Sequence, residues 1–246
     1  MKYWLLFIFS GLLVHSGVGQ ATDTTAVETV EVEVATEANE EDSISVPLKV
    51  FEPQFFVDYG KILLTAITPE QRLEGGVILL FFEKFEAVGE FGKGVLKPEH
   101  SYVNGNYQAT GDYFKLGGGY ITKFNQKSSI GLGVRYGLSS FSDQGRIEIQ
   151  SESGLQDDFE LSFARNNLSA RWWEVVLTSE SDIAFNKSKP ESKINDFMKI
   201  GFFFRMKFLV AYDDKTDPVE VYSVPGYGSV NSGQQAVFNF FIKFHL

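Results

Sequence analysis

The residues that could do acid–base or metal chemistry are few. The chain has 3 His and no Cys. His15 falls in an apolar N-terminal stretch, which leaves His100 and His245. A Ser/His pair is a nucleophile with its base, and Ser101 beside His100 is one such candidate. The simpler reading is an ordinary polar loop, and no catalytic residue is assigned. His100 and His245 are expected at opposite ends of the fold, so they cannot share a metal. Clustered carboxylates occur in "DDKTD" (213–217) and "ESGLQDD" (152–158), the ligand type that calcium takes. Neither run has a liganding register, so both read as solvated acidic loops, and no metal or cofactor is expected. "GGGY" (117–120) lies inside a strand with no helix after it, so it is not a phosphate loop. Without Cys, disulfides and thiolate metal sites are excluded.

The remaining chemistry is ion pairing. Asp58, Glu90, Lys115, Arg135, Glu174, Arg205 and Lys207 all fall on one face of strand-like segments. Glu74, Lys123, Lys199 and Lys243 share that face. Both signs are present, so a charged network can form, with Arg135, Glu174 and Arg205 as its principal members. Unpaired, each such charge would cost several kcal/mol in a narrow interior. The expected role is structural.

What positions these residues is two-residue periodicity. In 196–212 the even positions, Met198 to Tyr212, are all apolar, whereas the odd positions include Lys199, Gly201, Arg205 and Lys207. In 128–141, Ile130, Leu132, Val134, Tyr136 and Leu138 oppose Gly131, Gly133, Arg135 and Gly137. Similar alternation runs through 54–67, 73–82, 86–94, 111–124, 168–179 and 236–246. The reading is eight antiparallel strands, with no amphipathic helix of useful length. Splitting 73–94 into two strands around a turn at 83–85 gives the even number. It also sorts the connections, since 95–110, 142–167 and 213–234 are long and fall at one end.

Outside 51–246 the chain changes character. Residues 1–21 carry an early Lys2, an apolar run from Trp4 to Val14, then small residues, which is a signal-peptide pattern. No Cys follows it, so a lipoprotein anchor is ruled out. Residues 22–50 are rich in Glu, Thr and Ala without aromatics, and read as an acidic disordered tether in the periplasm. The net charge of −10 argues against general affinity for nucleic acid.

Two all-β readings compete. A soluble lipocalin-like barrel would turn the apolar face inward around an apolar ligand. An outer-membrane barrel would turn it outward to lipid. An eight-stranded interior is only just wide enough for side chains to fill, and Met198, Ile200, Phe202, Phe204, Met206, Phe208 and Tyr212 from one strand, with three Phe from the last, are hard to place there. The opposite face carries Gly117, Gly119, Gly131, Gly133, Gly137 and Gly201, which suit a crowded inside. The fold expected is an all-β, eight-stranded, antiparallel up-and-down transmembrane β-barrel with a plugged lumen. Lys61 violates the pattern, because alternation turns it outward on the first strand.

"VDYGK" (57–61), "GLGVRYGLSSFS" (131–142), "WWEVVL" (172–177) and "VPGYGSVNSG" (224–233) resemble a family of uncharacterised eight-stranded outer-membrane barrels of Gram-negative bacteria. The likeness covers about Gln54 to Leu246, and the layout is similar to OmpX- and OmpA-type barrels. The resemblance implies a barrel in the cell outer membrane, in contact with lipid and inserted by the barrel-assembly machinery, and a monomer is expected. It implies no known activity. A structural or surface-interaction role is therefore expected, with a lipid-modifying enzyme as a further alternative.

Overall fold

Strict alternation gives each strand two unlike faces, and a closed sheet keeps those faces apart without leaving a bare edge. The computed structural model describes residues 50–98, 101–102, 104–125, 127–149, 159–183, 197–214 and 219–245. In chain order the elements are β1 (Phe51–Asp58), α1 (Tyr59–Ile67), β2 (Gln71–Phe81), β3 (Phe85–Leu96), β4 (Gly105–Lys123), β5 (Ser128–Ile149), β6 (Phe159–Asp182), β7 (Met198–Tyr212), β8 (Ser223–Val224), β9 (Gly228–Ser229) and β10 (Gln234–His245). Eight of the strands close in the order β1-β10-β7-β6-β5-β4-β3-β2, and β8 with β9 forms a separate small ribbon. Each neighbouring pair in the ring is antiparallel. The expected signal peptide (1–21) and all of the expected tether (22–50) except Val50 lie outside the described residues.

The first strand corrects the sequence reading. Residues 59–67 are helix, not the second half of a strand. The cause is local. Asp58 is the N-cap, and its Oδ1 accepts from the Lys61 N–H at 3.0 Å. Capping one of the free N–H groups of a first turn favours helix entry. Lys61, expected outward, is consequently turned inward and buried.

The strands also run further than expected. β5 continues to Ile149 and β6 begins at Phe159, inside the segment read as the long connection 142–167. β4 begins at Gly105, within the connection read as 95–110. β4, β5 and β6 thus extend past the rest of the barrel as a three-stranded sheet. At the other end two of the three connections are short, and the third, residues 183–197 between β6 and β7, is longer. Three residues, 82–84, join β2 to β3; Phe82 and Glu83 are the central pair of a turn closed by the Lys84 N–H on the Phe81 carbonyl at 3.0 Å, with φ of 52° and 56°. Two successive left-handed residues are the turn whose twist matches paired strands. Asn125 closes the β4–β5 turn by accepting from the N–H groups of Lys127 and Ser128 at 2.8 and 2.7 Å.

The two faces are sharply distinct. Along β3, β4 and β6, Glu90, Lys115 and Glu174 are 1%, 0% and 0% exposed, whereas their chain neighbours Phe91, Leu116 and Trp173 are 59%, 55% and 48% exposed. Charges point into the ring and large apolar side chains point out of it.

The interior is filled in layers. Nearest the short turns, Gln54, Ser129, Glu180 and Lys243 are buried. Next come Phe56, Ile78, Val88, Val176, Phe203 and Phe241. Phe203 and Phe241 stack with ring centroids 4.1 Å apart. Above them lies a charged layer. The far end is closed by Tyr107, Tyr113, Phe163, Leu168 and Trp172 packed on Val221, Val224 and Tyr227 from the β7–β10 connection. Gly137 makes room for this cap: a Cβ there would lie 2.2 Å from the Trp172 ring. Gly226, at φ +84°, turns the connection inward beside Tyr113.

Candidate functional site

The charged layer draws its side chains from five of the eight strands of the ring. β2 and β3 contribute Glu74 and Glu90, β4 contributes Lys115, and β6 and β7 contribute Glu174 and Arg205. Lys115 Nζ lies 2.9 Å from Glu74, 3.0 Å from Glu90 and 3.6 Å from Glu174. Arg205 Nη1 lies 2.8 Å from both Glu90 and Glu174, and its Nη2 lies 3.6 Å from Glu74. Two cations thus bridge three carboxylates, all essentially without solvent exposure. A guanidinium suits this because its planar fork addresses two carboxylates at fixed angles.

The other expected members sit around that centre. Asp58 lies at the β1–α1 junction, where Asn239 Nδ2 donates to it at 2.6 Å and Lys61 Nζ is 3.6 Å away. Arg135 is set one layer toward the short turns. It pairs with Glu86 at 2.8 Å, donates to the Gly118 carbonyl at 2.9 Å and reaches Glu90 only at 3.5 Å. Lys207 is set toward the cap. Its Nζ is 4.0 Å from Glu174 and donates to the carbonyls of Gly226 and Tyr227 at 2.6 and 3.2 Å. It therefore ties the inward-folded connection to the barrel wall. Of the further charges expected inside, Lys199 and Lys243 pair with Glu180. Lys123 does not point in: it is exposed and pairs with Glu83 at 3.4 Å. It stands at the end of β4, where the wall no longer encloses a side chain.

Several members were not read from the sequence as partners. Lys61 reaches Glu74 at 2.5 Å from the helix. Tyr113 donates to Glu74 at 2.7 Å, and Trp172 Nε1 donates to Glu174 at 2.7 Å. The signal for the aromatics was present, since Tyr113 and Trp172 have the same parity as Lys115 and Glu174. The signal for Lys61 was Asp58 followed by "YGKILLTAI", a capping residue before an apolar run.

Chemically this is a cross-brace. Each carboxylate already faces a cation, and the layer is enclosed by apolar packing on both sides. At the short-turn mouth, Glu52 Oε1 lies 2.5 Å from His245 Nδ1, beside a polar recess of about 250 Å³. At the far end Arg165 holds Asp143 through two nitrogens, at 2.8 and 2.5 Å, and donates to the Val219 carbonyl at 2.6 Å. Tyr107 adds a bond to Asp143 at 3.0 Å. Burial pushes the phenols of Tyr102 and Tyr227 above their ordinary range. Among the described residues no group of three or more His, Cys, Asp and Glu is placed to hold a metal ion. His100 and the run 152–158 lie outside the described residues, as does most of 213–217.

Residues 79–246 match the family model of a domain of unknown function, DUF6048. No curated protein matches the chain.

Proposed function

We propose that this chain, which belongs to the DUF6048 family, is an outer-membrane β-barrel with a sealed lumen and a structural or surface-interaction role. The observation that carries the reading is the inverted burial. Ionised side chains lie inside between apolar layers, and Phe55, Phe91, Phe114, Leu132, Val134, Val175 and Phe240 stand exposed around the outside. Contiguous apolar surface on that scale does not suit a water-soluble monomer. A lipid-facing wall accommodates it, and a barrel satisfies its own backbone groups as the bilayer core demands.

The dimensions agree. The outward residues of β5 are apolar from Ile130 to Leu138, then polar from Ser140 to Glu148. At about 3.3 Å per residue and a tilt near 40°, the apolar part spans about 20 Å, close to the lipid-facing band of such barrels. Aromatic pairs flank it, with Tyr136 and Trp173 4.7 Å apart toward the long end and Phe85 and Tyr120 5.6 Å apart toward the short turns. In this reading the short turns face the periplasm. The projecting β4–β5–β6 sheet, with Asn106, Gln144, Arg146 and Glu160 outward, is the surface offered outside the cell.

The test combines fractionation with one substitution. The protein is expected in the outer-membrane fraction, with a folded state that requires detergent or lipid and a gel mobility that shifts on boiling. Leu132→Arg, in the middle of the band, is expected to destabilise the barrel in a bilayer by about 2–4 kcal/mol. On a watery surface the same change would cost within about 0.5 kcal/mol. A detergent-free, soluble, folded monomer indifferent to Leu132→Arg would overturn the reading.

A further inference from the structure

The wall of the barrel is incomplete at one place. β1 pairs with β10 only from Gln54 opposite His245 to Asp58 opposite Phe241. It pairs with β2 only as far as Val57 opposite Gly75. Beyond that level, Gln71–Glu74 of β2 and Gln234–Phe240 of β10 have no strand between them. The helix α1 stands there instead. Two contacts hold it to β2: the buried Lys61–Glu74 pair at 2.5 Å in its first turn and, a turn further on, the Thr65 hydroxyl, which accepts from the Arg72 N–H at 2.9 Å. Its Ile62, Leu63, Leu64 and Ile67 are exposed.

Space lies on both sides of this seam. Inside is a cavity of about 350 Å³ whose wall includes Lys61, Arg72, Tyr113, Lys207 and Tyr227. Outside is an apolar groove of about 280 Å³ between α1 and β2–β3, lined by Ile62, Thr65, Leu73 and Val95 with Arg72 and Lys93. Leu73 and Lys93 also border a second outer groove, of about 590 Å³, which runs over Gly75 and Gly89 between Phe55, Phe91 and Phe114. Arg72 therefore belongs to the inner cavity and to the outer groove alike. The cations Arg72, Lys93, Lys61 and Lys207 mark the path; the nearer outer groove mixes Ile62, Leu73 and Val95 with polar side chains, and the farther one is walled mainly by apolar side chains and glycines.

We infer that this seam is a binding site for an anionic phospholipid of the surrounding membrane. The acyl chain lies in the outer grooves, and the phosphate headgroup enters past α1 into the cavity. Arg72 is the residue that meets the phosphate at the threshold, in exchange for its pairing with Glu70. The site rests on the membrane reading above, because its ligand comes from the bilayer.

The chain has no Cys, so a designed disulfide can lock the seam without competition. A Cβ at Gly60 would lie 3.3 Å from the Phe240 Cβ, near the separation a disulfide spans. The double variant Gly60→Cys with Phe240→Cys would fix the first turn of α1 to β10, so that the helix cannot pivot about Asp58. The full chain, folded in nonionic detergent, is titrated by calorimetry with dihexanoyl phosphatidylglycerol, dihexanoyl phosphatidylcholine and inorganic phosphate. Saturable binding of the phosphatidylglycerol is expected, with the other two at least about tenfold weaker. Arg72→Gln is expected to weaken it by about tenfold, as for loss of one charge-assisted contact. Oxidation of the double variant is expected to abolish binding, and reduction to restore it to the wild-type value. That recovery shows the variant to be folded. Binding that survives oxidation would remove the passage through the seam. Equal binding of inorganic phosphate would make it a free-anion site instead of a lipid site. A detergent-dependent barrel that binds none of the three would overturn this inference and leave the membrane reading standing. A protein that folds without detergent would fail the membrane reading first.

Discussion

Arg205 and Lys115 together hold the three carboxylates of the charged layer, and Arg205 is the closer of the two to Glu90 and Glu174. It faces Glu90 and Glu174 at 2.8 Å and has no exposure through which water could replace it. Replacing it with methionine keeps much of the volume but leaves two buried carboxylates with less than their share of positive charge. Arg205→Met is therefore expected to cost about 3–5 kcal/mol, the usual penalty for orphaning a buried charge. Lys207→Met should cost about 1–3 kcal/mol, because its protons go chiefly to the Gly226 and Tyr227 carbonyls. Urea midpoints of the folded form in micelles would rank the two, and equal losses would contradict the assignment of Arg205 to the centre and Lys207 to the cap. The parity of "KIGFFFRMK" is enough to put both residues on one face. What parity does not carry is depth. Arg135 was read as a principal member alongside Glu174 and Arg205, yet it lies a layer away with Glu86. Depth depends on strand stagger around the ring, which no single strand encodes.

At the scale of elements, the β2–β3 turn stores strain that a substitution can relieve. Phe82 and Glu83 both hold positive φ, a conformation that costs an L-residue about 1–2 kcal/mol. Glycine carries no such penalty but loses about 0.5–1 kcal/mol in chain entropy. Glu83→Gly is thus expected to stabilise the barrel by about 0.5–1 kcal/mol. Its exposed partner Lys123, at 3.4 Å, contributes too little to reverse the sign. A lowered urea midpoint for Glu83→Gly would mean that the turn is not strained as its dihedrals imply. The strand periods themselves were open to reading, because two-residue alternation survives in sequence wherever one face is polar. The helix was not found, although Asp58 announces it. Tyr59 to Ile67 has so many apolar residues that its pattern fits a strand as readily as a helix, and only the cap distinguishes them. The projecting parts of β4, β5 and β6 were missed for the opposite reason. Once the outward face becomes polar, as at Ser140, Ser142, Gln144 and Arg146, alternation fades although pairing continues.

For the whole molecule, the decisive property is that the lumen is closed more than once. The inward connection with Val221, Val224 and Tyr227 closes the far end. The ion-paired layer closes the middle, and the cluster of Phe56, Phe203 and Phe241 closes the level below. A plugged pore would depend on the first of these alone. A barrel braced through its centre would not, because ion passage would also require separating Arg205 and Lys115 from their carboxylates and parting the Phe203–Phe241 stack. Replacing residues 219–230 with a short Gly/Ser linker distinguishes these designs. The wild-type chain in a planar bilayer is expected to show no stepwise conductance, and the shortened chain is expected to stay equally silent while losing stability at its far end. Lys207 would then have lost its carbonyl acceptors and kept only Glu174, at 4.0 Å, so adding Lys207→Met to the deletion should cost less than the same change in the full chain. Steady single-channel steps from the deletion alone would show that the connection was the only seal. The layers beneath it would then be an open, charged pore, and the role argued from a braced interior would give way to gated permeation.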